Sequence, residues 1–293
     1  LKETGWEDKM RKFLIKLSKI ERRYIYLTLF LALTLPLIFP PNFPQKMSPT
    51  VKSVFEFIDT LPPGSHVLLS ADYDASVLPE VDPMYRAVLK HCILRGVVPI
   101  GMTLYPQGAV LALDAFKEAE EYLGARRDTD YVFLGYQAGF QAVILGIGEN
   151  IKNVFPKDYF GTPIDSIPAM RGVNNYKDIA LVISFSGSSV PVTWVIYAYS
   201  KYHQKVAAAV TAVSAADFYP YIQTGQFVGM LAGMKGAAEY EYAVRKIMKD
   251  EGIEKLPPAK AVKGMDANSI GHLLIMLFII IGNLGYFASK RRK

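Results

Sequence analysis

The chain alternates between two kinds of hydrophobic pattern, and the change from one to the other divides it into segments. Residues 24–40 (YIYLTLFLALTLPLIFP) and 269–288 (SIGHLLIMLFIIIGNLGYFA) carry no charged residue, and each is close to the length a membrane-spanning helix requires. Between them, short apolar runs are separated by longer amphipathic stretches. The runs at 66–73, 97–105, 130–136, 179–186 and 205–214 read as strands, and 82–95, 108–123, 137–149 and 189–203 read as helices. Strands joined by crossovers of helix length pair in parallel, and the nearly unbroken hydrophobicity of 179–185 and 206–213 fits strands covered on both faces. The pattern therefore predicts an α/β domain over 50–255, a Rossmann-like doubly wound, mainly parallel five-stranded sheet, flanked by two terminal transmembrane helices. Proline-rich 41–49 and Pro257–Pro258 within 256–268 read as the linkers on either side.

Ahead of the first span, Trp6, Met10, Phe13, Leu14, Leu17 and Ile20 recur at spacings of three and four among lysines and arginines. This predicts an amphipathic helix within 1–23, with an anionic membrane surface as its partner. The long, partly acidic lead and the lack of an A-x-A-like site favour a retained anchor over a cleaved signal.

Charge then sets an orientation. The formal net charge is +6, but the excess lies in 1–23 and in the 289–293 tail, and the remainder is slightly acidic. A nucleic-acid partner is not expected, because phosphate binding needs cations clustered on the domain itself. Arg22–Arg23 before the first span and KRRK after the second place both termini in the cytoplasm, with the main domain extracytoplasmic, at a cell (inner) membrane. The lone Cys92 permits no intrachain disulfide.

In a doubly wound sheet, ligands bind beyond the carboxyl ends of the strands. That rule selects Asp72 and Asp74 after the first strand, Tyr136 and Gln137 after the third, Ser186, Ser188 and Ser189 after the fourth, and Asp217 after the fifth. The SGSS sequence before a helix can surround an anion with hydroxyls and N–H groups, or it can simply cap the helix. Asp72, Asp74 and Asp217 can ligate a divalent cation, or serve as turn residues. No histidine is placed to activate a serine, and the chain lacks G-x-S-x-G, a Walker-type loop and a dinucleotide fingerprint at its first crossover. No cofactor is expected, and catalysis is the least favoured reading.

Gly225, Gly229, Gly233 and Gly236 follow at near-helical spacing. Read as a helix, they form a smooth face for a partner helix in the same domain or in another subunit. These features favour a structural or assembly subunit of a membrane complex, with an extracytoplasmic ligand-binding or sensing domain as the alternative.

Overall fold

The computed structural model describes residues 5–17 and 20–290, so the first residues of the amphipathic segment and most of the KRRK tail lie outside the described residues. The chain forms two compact units. One comprises the described parts of Leu1–Phe43 and Lys263–Lys293, the other Pro44–Val262.

The first unit begins with α1 (Gly5–Leu17) and α2 (Arg22–Ile38). Pro36 sits in the last turn of α2, and the helix closes with the Phe39 N–H on the Leu35 carbonyl. At ~1.5 Å per residue the 17 residues of α2 span about 26 Å, short of the ~30 Å hydrocarbon core of a bilayer. Side chains on successive positions of α2, including Tyr26, Leu27, Phe30 and Leu31, are exposed, so its apolar surface is not confined to one stripe. The rest of the unit comes from the chain's last helix, described below.

The second unit opens with α3 (Pro49–Asp59), whose start is fixed by Glu239, since the Ser48 N–H and hydroxyl both donate to its carboxylate at 2.8 Å. There follow β1 (His66–Asp72), α4 (Leu78–Leu94), β2 (Val98–Thr103), α5 (Pro106–Leu123), β3 (Val132–Tyr136) and α6 (Phe140–Val154). After a loop come β4 (Leu181–Ser186), α7 (Val190–Trp194), a π-helical stretch at Val195–Tyr199 and the single turn α8 (Ser200–Tyr202). The chain continues through β5 (Val206–Val210), α9 (Ala215–Gln223), β6 (Phe227–Ala232), α10 (Gly233–Asp250) and α11 (Lys260–Lys290).

All six strands are parallel, in the order β3-β2-β1-β4-β5-β6. Every residue of β4 and β5 is buried, as helices on both faces require. One face carries Leu68, Ile100, Val182 and Val206 into a core with Ile144 and Ile147 of α6 and Trp194 of α7. On the opposite face Tyr85 of α4 packs edge-on against Phe185, with ring centroids 4.9 Å apart. At the β3 edge the Tyr159 N–H donates to the Phe133 carbonyl, and α3 packs on the face of β6.

The sheet has six strands rather than five, and the sixth corrects the glycine reading. Gly225 and Gly233 adopt φ of 73° and 59°, a left-handed backbone that interrupts any helix, and the FVGMLA run between them is β6. Gly225, Gly229, Gly233 and Gly236 therefore do not share a helix face. A six-residue run buried on both sides looks alike as strand or helix, and the glycine spacing happened to match the helical period. The expected close backbone approach does occur at Gly229, where an added Cβ would stand 2.5 Å from the Thr50 carbonyl oxygen of α3. That neighbour belongs to the same unit.

Among the described residues, one helix is long and apolar enough to cross a membrane, the 31-residue α11. It starts at Lys260, so it takes in part of the linker expected over 256–268. Its first N–H groups at Lys260 and Val262 are capped by the Glu241 carboxylate at 3.0 and 2.9 Å. Within the first unit, Gly271 of α11 lies against Leu33 of α2, and the Asn42 N–H donates to Asp266 at 2.9 Å.

A buried ionic network joins α4 to α5. Arg86 donates to Asp82 at 2.7 Å, to Asp114 at 2.6 Å and to Glu118 at 2.7 Å, and Lys90 meets Glu118 at 2.5 Å. Such a network is favourable only while every charge keeps its partner.

Candidate functional site at the switch point of the sheet

Strand order reverses between β1 and β4, since β1 runs on to β2 on one side and β4 runs on to β5 on the other. In sheets of this kind ligands bind above the carboxyl ends at such a reversal, and here the segment after β4 meets the segment after β1 where Gly187 faces Val77. The register places Asp72 beside Ser186 and Ser70 beside Ser184, four polar residues on one face of two otherwise apolar strands.

Ser186 is buried, and its hydroxyl accepts the Ser188 N–H at 3.0 Å. The two serine hydroxyl oxygens are 3.0 Å apart, and the Ser188 hydroxyl is 3.3 Å from the Tyr105 phenol. A ladder of hydroxyls thus runs from Ser186 at the end of β4 through Ser188 to Tyr105. Gly187 between them has no room for a side chain, since a Cβ would meet Val77 at 2.6 Å. Tyr105 is held through Thr103, whose hydroxyl accepts the Tyr105 N–H at 2.9 Å and lies 2.8 Å from the Ala71 carbonyl oxygen. The first turn of α5 presses on the same carbonyl through Gly108, where a Cβ would fall 1.9 Å from it.

Asp72 lies under this ladder and is buried. One carboxylate oxygen accepts the Leu104 N–H at 2.7 Å, and the other lies 3.4 Å from the Ser184 hydroxyl. Burial pushes its pKa up to about 6, against the pull of Leu104, Ser70, Trp194 and Ser184, all of which favour the ionised form. The Ser70 hydroxyl and the Trp194 indole N–H bear on this carboxyl, yet neither closes to hydrogen-bond geometry with any group.

The remaining expected site residues divide into two groups. Tyr136 and Gln137 are exposed at the end of β3, and the Gln137 N–H donates to the Thr103 carbonyl at 3.1 Å, which brings them beside the β2 end. Ser189 is exposed and starts α7. Asp74 turns back on its own loop, accepting the Ser76 N–H at 2.8 Å and hydroxyl at 2.6 Å, and these bonds hold its carboxyl below the usual range. Asp217 is exposed in the first turn of α9. The three aspartates are thus not brought together, because two are engaged by different loops and the third lies beyond β5. Among the described residues, no group of three or more His, Cys, Asp and Glu is placed to hold a metal ion.

Ser70, Ser184 and Trp194 were not among the expected residues. A signal for them was present: Ser70-x-Asp72 and Ser184-x-Ser186 repeat polar residues at the strand period of two inside apolar runs. Glu80 was missed as well. Its carboxylate accepts the Ala212 N–H at 2.8 Å and ties the start of α4 to the end of β5.

Cavities lie elsewhere among the described residues. One of about 20 Å³, room for a water, is lined by Arg86, Lys90, Glu118, Glu241 and Arg245. Another, an open groove of about 380 Å³, runs along Lys117, Glu120, Arg127, Tyr131 and Phe160 near the amino end of β3. No protein family, curated protein or solved structure matches this chain.

Proposed function

We propose that this chain is a membrane-tethered binding protein that holds a small polar ligand in the switch-point crevice between β1 and β4. The observation that carries the reading is the hydroxyl ladder of Ser186, Ser188 and Tyr105, set where the sheet diverges. Hydroxyls both donate and accept, and they carry no charge of their own. They suit a ligand bearing hydroxyl, carboxylate or phosphate groups. Tyr136 and Gln137 supply exposed contacts on the β3 side.

The tether is α11, whose exposed apolar side chains, Leu273 and Ile279 among them, suit a lipid surround, with Leu33 of α2 against its Gly271. Arg22, Arg23 and Lys290 then mark the cytoplasmic side, and the α/β unit stands on the other. The alternative of an assembly subunit now rests on these helices alone, because Gly229 meets α3 of its own unit.

A thermal-shift screen of the full chain in detergent, with small carboxylates, phosphate esters and sugars, tests the reading. A ligand at 100 times its Kd stabilises by ~2.7 kcal/mol, and Ser188→Ala or Tyr105→Phe should remove that gain. A shift that survives both substitutions would move the site elsewhere, and a panel with no shift at all would count against binding.

A further inference from the structure

The buried carboxyl of Asp72 does no work in the ligand contacts just described, yet it lies directly beneath them. Elements from both sides of the crevice converge on it: Ser70 from its own strand, the Leu104 N–H from the turn between β2 and α5, Ser184 from β4 and Trp194 from α7. From the opposite face of the sheet the uncharged phenol of Tyr85 also senses it. The residue after Leu104 is Tyr105, the outer rung of the hydroxyl ladder. A charge on Asp72 therefore draws the Leu104 N–H inward and fixes where Tyr105 stands.

We infer that the ionised carboxylate of Asp72 is a positioning group for the crevice, holding the β2–α5 turn so that Tyr105 meets Ser188, and that protonation of Asp72 releases that turn. The inference rests on the switch-point crevice being the binding site, but its first consequence can be measured with no ligand present. A protonated carboxyl keeps one acceptor oxygen and turns the other into a donor, so the Leu104 N–H on one oxygen and the Ser184 hydroxyl on the other can no longer both donate to it. The Ser70 hydroxyl oxygen, buried without a hydrogen-bond partner, can accept from the protonated carboxyl, whereas the Trp194 N–H can only donate and must turn to the remaining carbonyl oxygen. Burial raises the carboxyl toward the range in which mild acid protonates it. An acidified compartment would then loosen the crevice.

Trp194 provides the readout. The chain has two tryptophans, so the full-length Trp6→Phe protein in detergent micelles reports on Trp194 alone. Its emission, followed from pH 8 to pH 4.5 without ligand, should change in one step with a midpoint near 6. Asp72→Asn should abolish the step. Ser184→Ala removes a donor that favours the ionised form, so it should move the midpoint upward while leaving Asp72 in place. This second variant keeps the test decisive should Asp72→Asn not fold. Hydrogen exchange in the peptide carrying Leu104 and Tyr105, corrected for the intrinsic pH dependence of exchange, should quicken across the same step, and a merely structural aspartate would not produce that coincidence. A flat emission profile, a step that persists in Asp72→Asn, or an unmoved midpoint in Ser184→Ala would overturn the inference. A clear step in a protein that no ligand stabilises would leave the positioning role standing and remove the binding reading alone.

Discussion

Gly229→Ala puts the packing of the α/β unit to a quantitative test. The new Cβ would lie 2.5 Å from the Thr50 carbonyl oxygen, 2.8 Å from Val54 Cγ2 and 3.1 Å from Ser53 Cβ. A comfortable contact with the carbonyl needs a retreat of somewhat under ~1 Å by backbone that has little freedom to move in a close-packed interior. Val51, Val54 and Ile58 bury the inner face of α3, and Glu239 holds both the N–H and the hydroxyl of Ser48 at its start. Replacing a strand glycine by alanine would ordinarily gain roughly 0.5–1 kcal/mol from reduced backbone entropy. Overpacking typically costs about 1–3 kcal/mol, so the clash should win and leave a net loss of about 1–2 kcal/mol. For a unit of this size that corresponds to a fall in Tm of roughly 2–8 °C. The assay is thermal unfolding of the full chain in detergent, followed by circular dichroism, with particle size measured beside it. An unchanged or raised Tm would refute the close-packed geometry of β6 on α3. A smaller particle at constant Tm would show that the glycine serves a contact between subunits.

Gly108→Ala should destabilise by about 1–3 kcal/mol although alanine is the better helix former, because its Cβ would fall on the Ala71 carbonyl; thermal unfolding reads the sign directly. Arg86→Met should cost about 3–5 kcal/mol by leaving the buried Asp82 without its close cation while Glu118 keeps Lys90, and adding Asp82→Asn should recover part of it; a loss that such neutralisation leaves unchanged would argue against an ionic cause. Two buried groups should oppose each other in the pH dependence of stability. Asp72 rises from 3.8 to about 6 by burial, so its contribution is present at low pH and is lost as pH climbs through that window, a change of ~3 kcal/mol. His91, buried against Phe55 and Tyr240, falls from 6.5 to about 4, so its contribution is present above 6.5 and is lost as pH drops toward 4, by a similar ~3 kcal/mol. These two nearly cancel in the native chain, and Asp72→Asn should expose the His91 loss as a steeper fall in Tm between pH 6.5 and 4; parallel profiles for the two proteins would contradict it.

The sequence by itself determined the α/β alternation, because short apolar runs are regularly separated there by amphipathic stretches of helix length. It also determined that the apolar stretch at the end of the chain is a long helix, because an uncharged run of that length has few other folds open to it. Asp72, Ser186 and Ser188 stand out in the sequence as polar residues at the carboxyl ends of apolar runs. What the tertiary structure alone decided was the identity of partners. In one dimension, FVGMLA fits a glycine-faced helix as well as a strand, and parallel pairing with β5, between the left-handed turns at Gly225 and Gly233, makes it β6. Asp72 and Ser184 are 112 positions apart, and Tyr105 and Ser188 are 83 apart. No local pattern encodes those pairings, because they come from the strand order β3-β2-β1-β4-β5-β6, which sets β1 beside β4 and makes a crevice of loops that are distant in the chain.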